Sequence, residues 1–178
     1  MEKTTGSKLF RIAVVGPEST GKTTLAEELA EYYKTVSVPE YARGYLNTLK
    51  RPYKLQDIEI ISKGQLELED RIATKAKRLL ICDTNLIVTK IWAEHAFKKC
   101  PDWIKESLKT RIYNLYLLTC PDIPWEPDPQ REHPHLREEL FSLYLKELSR
   151  LNVPYKEVSG LGTQRLKNAV SFIEESLA

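Results

Sequence analysis

The stretch Gly16-Pro17-Glu18-Ser19-Thr20-Gly21-Lys22-Thr23 decides the fold. It matches the pattern G-x-x-x-x-G-K-[ST], and its surroundings give the match meaning. Residues 10–15, Phe-Arg-Ile-Ala-Val-Val, form a nearly continuous apolar run immediately before it. Residues 22–33 carry helix periodicity, with Leu25, Leu29 and Tyr32 on one face. A strand entering and a helix leaving such a loop turn successive backbone N–H groups inward at an anion, with Gly16 and Gly21 allowing the curl. Lys22 then reaches the β- and γ-phosphates of a nucleoside triphosphate, and the Thr23 hydroxyl is the expected Mg²⁺ ligand. Glu18, Ser19, Thr20 and Thr24 complete the set expected to hold ATP. A chance match in a turn is the competing reading, and the strand–helix context weighs against it.

Outward from this loop the chain alternates strand and helix. Apolar, β-rich runs recur at 35–38, 79–82, 114–119 and 155–158. Their near-continuous apolar character suits strands buried on both faces of a parallel sheet. Helix periodicity occupies 55–77, 136–151 and 163–177. The pattern predicts an α/β chain in a three-layer P-loop NTPase fold: a five-stranded parallel sheet with helices on both faces.

Ligands in such sheets sit outside the carboxyl ends of the strands, so the residues there are candidates. Leu79-Leu-Ile-Cys-Asp83 closes an apolar run on a carboxylate, as a Mg²⁺-directed aspartate does. Asp83-Thr84-Asn85 also reads as a helix N-cap, and both roles are compatible. The run at 35–38 leads into Pro39-Glu40-Tyr41-Ala42-Arg43. Glu40 is placed to accept a proton from an attacking hydroxyl or to hold the metal's water shell, and Arg43 to bind phosphate or orient Glu40. A surface ion pair is the alternative for these two. Ser159-Gly160-Leu161-Gly162 reads either as a close backbone approach to adenine, through Gly160, or as a plain turn.

Residues 121–134 hold five of the ten prolines, which excludes helix and internal strand. A polar loop of this length at a strand end reads as a lid over 121–135. It carries Trp125, Asp128, Arg131, His133 and His135, and Arg137 follows. Lid arginines place positive charge over a transferring phosphoryl group, the role expected of Arg131 and open for Arg137. His133 and His135 lack neighbours that would complete a zinc set. Trp92 and Trp125 are packing residues or platforms for a flat, even cationic, ring.

Composition narrows the classes. With 178 residues, one domain over 1–178 is expected, with 1–8 flexible. Lys+Arg is 27 and Asp+Glu 25, a net +2, which argues against a dedicated nucleic-acid binder. No secretory h-region or membrane-length apolar run occurs, so a cytoplasmic protein with no membrane partner is expected. Cys82, Cys100 and Cys120 read as free thiols. Composition is silent on oligomeric state.

Five motifs in order are more specific than the phosphate loop alone: Gly16 to Thr24, Pro39-Glu-Tyr-Ala-Arg43, Asp83-Thr-Asn85, Thr89-Lys-Ile-Trp92 and Trp125-x-x-Asp128-x-x-Arg131. Together they resemble the ribosylnicotinamide kinase domain of the NadR-type proteins of NAD biosynthesis. The resemblance implies an ATP- and Mg²⁺-dependent kinase domain acting on the 5′-hydroxyl of nicotinamide riboside. It implies Lys22 and Thr23 toward phosphate and Mg²⁺, Asp83 toward the metal or the acceptor, and Arg131 as the lid arginine. With Glu40 from the reading above, Lys22, Asp83 and Arg131 form the expected catalytic set, the base being either Glu40 or Asp83. Glu40, Tyr41, Arg43, Asp83, Asn85, Trp92, Trp125 and Asp128 are the residues expected around the nucleoside, and the resemblance implies Trp92 on the nicotinamide ring. Two departures stand out. The length of 178 residues leaves no room for the family's adenylyltransferase domain, so adenylyl transfer is not expected here. Where the family lid has Asp-Gly, this chain has Asp128-Pro129, a stiffer step that bears on substrate choice. Another nucleoside kinase, a nucleoside monophosphate kinase and a regulatory ATPase module remain the alternatives.

Overall fold

The computed structural model describes residues 8–178. The flexibility expected of residues 1–8 therefore falls, apart from Lys8, outside the described residues. Five strands form one sheet: β1 (Phe10–Val15), β2 (Val36–Val38), β3 (Leu79–Asp83), β4 (Leu115–Thr119) and β5 (Tyr155–Val158). All are parallel, in the order β2-β3-β1-β4-β5. In the central pairings Ile12 lies opposite Ile81 and Leu115, and Val14 opposite Asp83 and Leu117.

The apolar runs are continuous because both sides of each strand are covered. Ile12, Val14, Ile81 and Leu117 point to one face, against α1 (Lys22–Tyr32) and α7 (Thr163–Leu177) through Leu25, Leu29, Ala169 and Ile173. Ala13, Val15, Leu80 and Leu118 point to the other. That face is covered by α3 (Leu55–Ala73), α4 (Leu86–Phe97), α5 (Asp102–Thr110) and α6 (Arg137–Leu151) through Ile58, Ile87, Ile104 and Leu148. The expected three layers are present. No helix among the described residues is long and apolar enough to cross a membrane.

The differences from the sequence reading are local. Tyr32, expected on the buried face of α1, is 56% exposed and sets its ring edge against Tyr33. Ala26 and Ala30 widen the buried stripe to the other side of Leu29, which turns Tyr32 outward. The helix from Leu55 stops at Ala73 rather than at 77. Two short helices, α2 (Tyr41–Thr48) and α5, were not anticipated. Helix α2 matters most, because Glu40 stands at its N-cap and it carries Arg43 along the cavity.

Candidate active site

Because all five strands run the same way, their carboxyl ends meet at one edge, and β1 delivers the phosphate loop to its middle. Gly16 has φ +148°, and a Cβ there would stand 2.3 Å from Thr119 Oγ1. Only glycine lets the loop pass the end of β4 this closely. Gly21 has φ +77° and caps α1. The loop carbonyls find donors on its outer side. Pro17 O accepts from Thr20 Oγ1 and from Lys22 Nζ, both at 2.7 Å. Ser19 O accepts from Arg137 at 3.2 Å, and Thr20 O from Arg165 at 2.8 Å. Burial lowers the Lys22 amine below its ordinary value, while Glu40, Asp83 and Glu18 pull it back up.

Asp83 ends β3 directly behind the loop. Thr84 follows it with φ +71°, a strained state for a β-branched residue, its N–H held by Val14 O at 3.0 Å. The Thr23 hydroxyl donates to Asp83 Oδ2 at 2.6 Å, and Asp83 Oδ1 is buried with no partner. Burial raises the Asp83 carboxyl to about 6, against the Thr23 hydrogen bond that lowers it. The hydroxyl of an exposed threonine beside an unpartnered, buried carboxylate oxygen is a donor set that fits Mg²⁺. That ion is commonly held by one or two carboxylates, with water and phosphate completing its shell. No cluster of three or more His, Cys, Asp or Glu suited to a metal occurs among the described residues.

A cavity of about 420 Å³ opens in front of the loop. Glu40 lines it from the N-terminus of α2, where its side chain makes no capping bond. Trp92 lines it from α4, with Tyr53 edge-on at 4.9 Å. Two arginines on this wall are already paired. Arg51 donates to both carboxylate oxygens of Asp57, at 2.8 and 3.0 Å, and Arg43 donates to Asp128 at 2.9 Å. His95 and His133 stack at 4.8 Å where α4 meets the proline-rich segment.

That proline-rich segment crosses the phosphate loop and is bonded to it. Glu18 Oε2 accepts the N–H groups of Glu132 and His133, each at 3.1 Å. Ser19 Oγ accepts from the Glu126 N–H at 2.8 Å and from Arg131 at 3.3 Å. Arg131 also donates to Glu126 O and lines the cavity.

The structure thus brings Gly16, Glu18, Ser19, Thr20, Gly21, Lys22, Thr23, Thr24, Glu40, Arg43, Trp92 and Arg131 to one cavity. Other expected residues are not on its wall. Asp83 stands behind Thr23. Asn85 is a helix cap: its side chain accepts from the Ile87 N–H at 3.0 Å and donates to the Tyr116 hydroxyl. Tyr41 packs on Gly64, where an added Cβ would meet its ring at 2.3 Å. Trp125 lies 5.7 Å under the Arg137 guanidinium, so that arginine faces loop carbonyls and Trp125 rather than the cavity. Asp128 is off the wall but accepts from two residues on it, Arg43 and the Gln130 N–H, each at 2.9 Å. Gly160 has φ +102° and donates its N–H to Asp122 at 2.7 Å, away from the cavity wall. Sequence reading missed Arg51, Tyr53 and Arg165. Only Arg165 left a signal: a charge on the buried stripe of α7, four and eight residues before Ala169 and Ile173.

The family described as an AAA domain matches residues 11–165, and the chain belongs to that family. The trifunctional NAD biosynthesis/regulator protein NadR of Escherichia coli (strain K12) is 24% identical over 153 residues, 83% of this chain and 37% of that protein. The chain therefore spans little more than a third of that curated relative. A NadR protein solved in complex with NR superposes with a TM-score of 0.81 at 22% identity, over 94% of this chain and 51% of that one. Deoxyadenosine kinase from M. mycoides gives 0.59 at 12% identity, over 93% of this chain and 100% of that one.

Proposed function

We propose that this chain is an ATP-dependent kinase that phosphorylates the 5′-hydroxyl of nicotinamide riboside, giving nicotinamide mononucleotide and ADP. The likeness to NadR proteins, one of them solved with NR, supports the acceptor. The observation that carries the reading is the state of the acceptor wall. Its arginines, Arg43 and Arg51, are each paired with an aspartate, while Glu40 is uncapped and Trp92 and Tyr53 supply aromatic surface. Such a wall suits an uncharged ribose and a flat cationic ring; an acceptor already bearing phosphate needs unpaired cations. That favours a nucleoside over a nucleoside monophosphate.

In this mechanism the phosphate loop and the N-terminus of α1 bind the triphosphate. Lys22 leaves Pro17 O for the phosphate oxygens, where charge spreads in a loose transition state. Glu40 holds the acceptor hydroxyl in line and takes its proton as the new P–O bond forms. Little base strength is required, because the transition state is largely dissociative. Arg131 covers the transferring group from the proline-rich lid, and the lid excludes water that would hydrolyse ATP. Thr23 and Asp83 would hold Mg²⁺, which neutralises charge on the phosphates when bound.

The test is ADP release with a panel of nucleosides and mononucleotides. Nicotinamide riboside is expected to stimulate it and to yield its mononucleotide. Stimulation by a nucleoside monophosphate alone, or by no acceptor at all, would overturn the reading.

A further inference from the structure

A loop that turns its N–H groups inward at an anion must turn its carbonyls outward, and buried carbonyls need donors. For Thr20, itself fully buried, that donor is Arg165 of α7. The Arg165 side chain is only 7% exposed and sits directly behind the loop, where a Cβ on Gly21 would stand 3.8 Å from its Nε. Its Nη2 donates to Thr20 O and to Cys120 O, both at 2.8 Å. Its Nη1 donates to Gly160 O at 2.8 Å and to Asp122 Oδ1 at 2.7 Å. The other oxygen of Asp122 accepts the Gly160 N–H, so one ion pair holds both backbone polar groups of that glycine.

One guanidinium thereby joins three stretches far apart in the chain: the phosphate loop, the exit of β4, and the turn between β5 and α7. The planar fork can address both pairs of acceptors at once, whereas an ammonium is a single point. We propose that Arg165 is a positioning residue for ATP. It fixes the peptide after Thr20 so that the loop's N–H groups aim at the phosphates, and it ties that peptide to the turn at Gly160. The proposal rests on the reading that this loop holds ATP. It assigns Arg165 no contact with substrate.

The full chain and its Arg165→Met and Arg165→Lys variants are titrated calorimetrically with Mg²⁺-ATP and, separately, with nicotinamide riboside, below each unfolding midpoint. In Arg165→Met the Kd for ATP is expected to rise about tenfold, and in Arg165→Lys about threefold. The Kd for nicotinamide riboside is expected to stay within about twofold, a split that general loosening of the fold would not produce. An ATP Kd within about twofold of the unsubstituted chain, or equal weakening of both ligands, overturns the proposal. If Arg165→Met does not fold, Arg165→Lys is judged by the same two criteria. Failure of nicotinamide riboside to bind the unsubstituted chain counts against the proposed acceptor only. The order of ATP affinities among Arg, Lys and Met then decides the role of Arg165.

Discussion

At the phosphate end of the cavity, consecutive residues from Gly16 to Thr24 supply the floor, and their buried carbonyls are held by Thr20, Arg137 and Arg165. At the acceptor end the wall is drawn from α2, the 49–53 turn, α4 and the proline-rich segment, and its charges are paired across those elements. The first region is a backbone device whose chemistry is local. The second is an assembly of side chains whose net charge depends on which partners the fold supplies. In the proposed function, the groups that meet phosphate come from one motif, held from behind by distant arginines, while acceptor choice is spread over the tertiary structure.

Three substitutions probe that contrast, from the largest expected effect to the smallest. Lys22→Ala removes the cation of the phosphate end. It should lower kcat by about 10²–10³ while the acceptor KM changes little, read from steady-state kinetics. Equal losses at both substrates would break the separation of the two ends.

Asp57→Asn acts at the acceptor end. Asp57 is buried, pairs with Arg51, and also accepts from the Tyr45 hydroxyl and the Lys54 N–H. Its replacement should cost about 2 kcal/mol of stability, measured by urea unfolding. The Arg51 guanidinium holds the Asp57 carboxyl well below its ordinary value, with burial opposing. For a depressed carboxyl, the stabilisation is present above its unfolded value, near pH 4, and is lost as pH falls toward the native value. Acidification below about pH 4 should therefore destabilise the unsubstituted chain more steeply than Asp57→Asn. The same change frees Arg51 on the cavity wall, so nicotinamide mononucleotide should inhibit the variant more strongly. Unchanged inhibition would count against the neutral-wall argument.

Asp128→Asn is the mildest of the three. Arg43 is 47% exposed, so its pair with Asp128 should contribute little to stability. Yet the pair ties α2 to the proline-rich segment, and its loss should raise the acceptor KM about two- to threefold with kcat nearly unchanged. A larger effect on the KM for ATP would place that contact in the phosphate end instead.

Much of the fold was legible because its signals are contiguous. The run at 79–82 is apolar without a break and that at 10–15 is broken only by Arg11, since each strand is covered on both faces, and they reappear as β3 and β1. Helix α2 was not legible: it is eight residues long, contains Gly44, and buries only Ala42. Its stability comes from packing, including the Tyr41 ring on Gly64 of α3 and the Gln65 side chain on the Tyr41 N–H. Asp83 was recognised at its strand end, but its position behind Thr23 rather than on the cavity wall was not.

The sequence by itself determined the phosphate loop, the parallel sheet and the helices of its two layers. Those features follow from periodicity and from glycines at fixed spacing, which act between near neighbours in the chain. Tertiary structure alone decided that Glu40 rather than Asp83 lines the cavity, and that Arg131 reaches it while Arg137 does not. It also turned Asn85 into a cap, Trp125 into a support for Arg137, and Arg165 into the donor behind Thr20. Each of these outcomes depends on which buried carbonyl, carboxylate or N–H lies within hydrogen-bond reach. Such partners come from segments as much as 145 residues away, so no local pattern announces them.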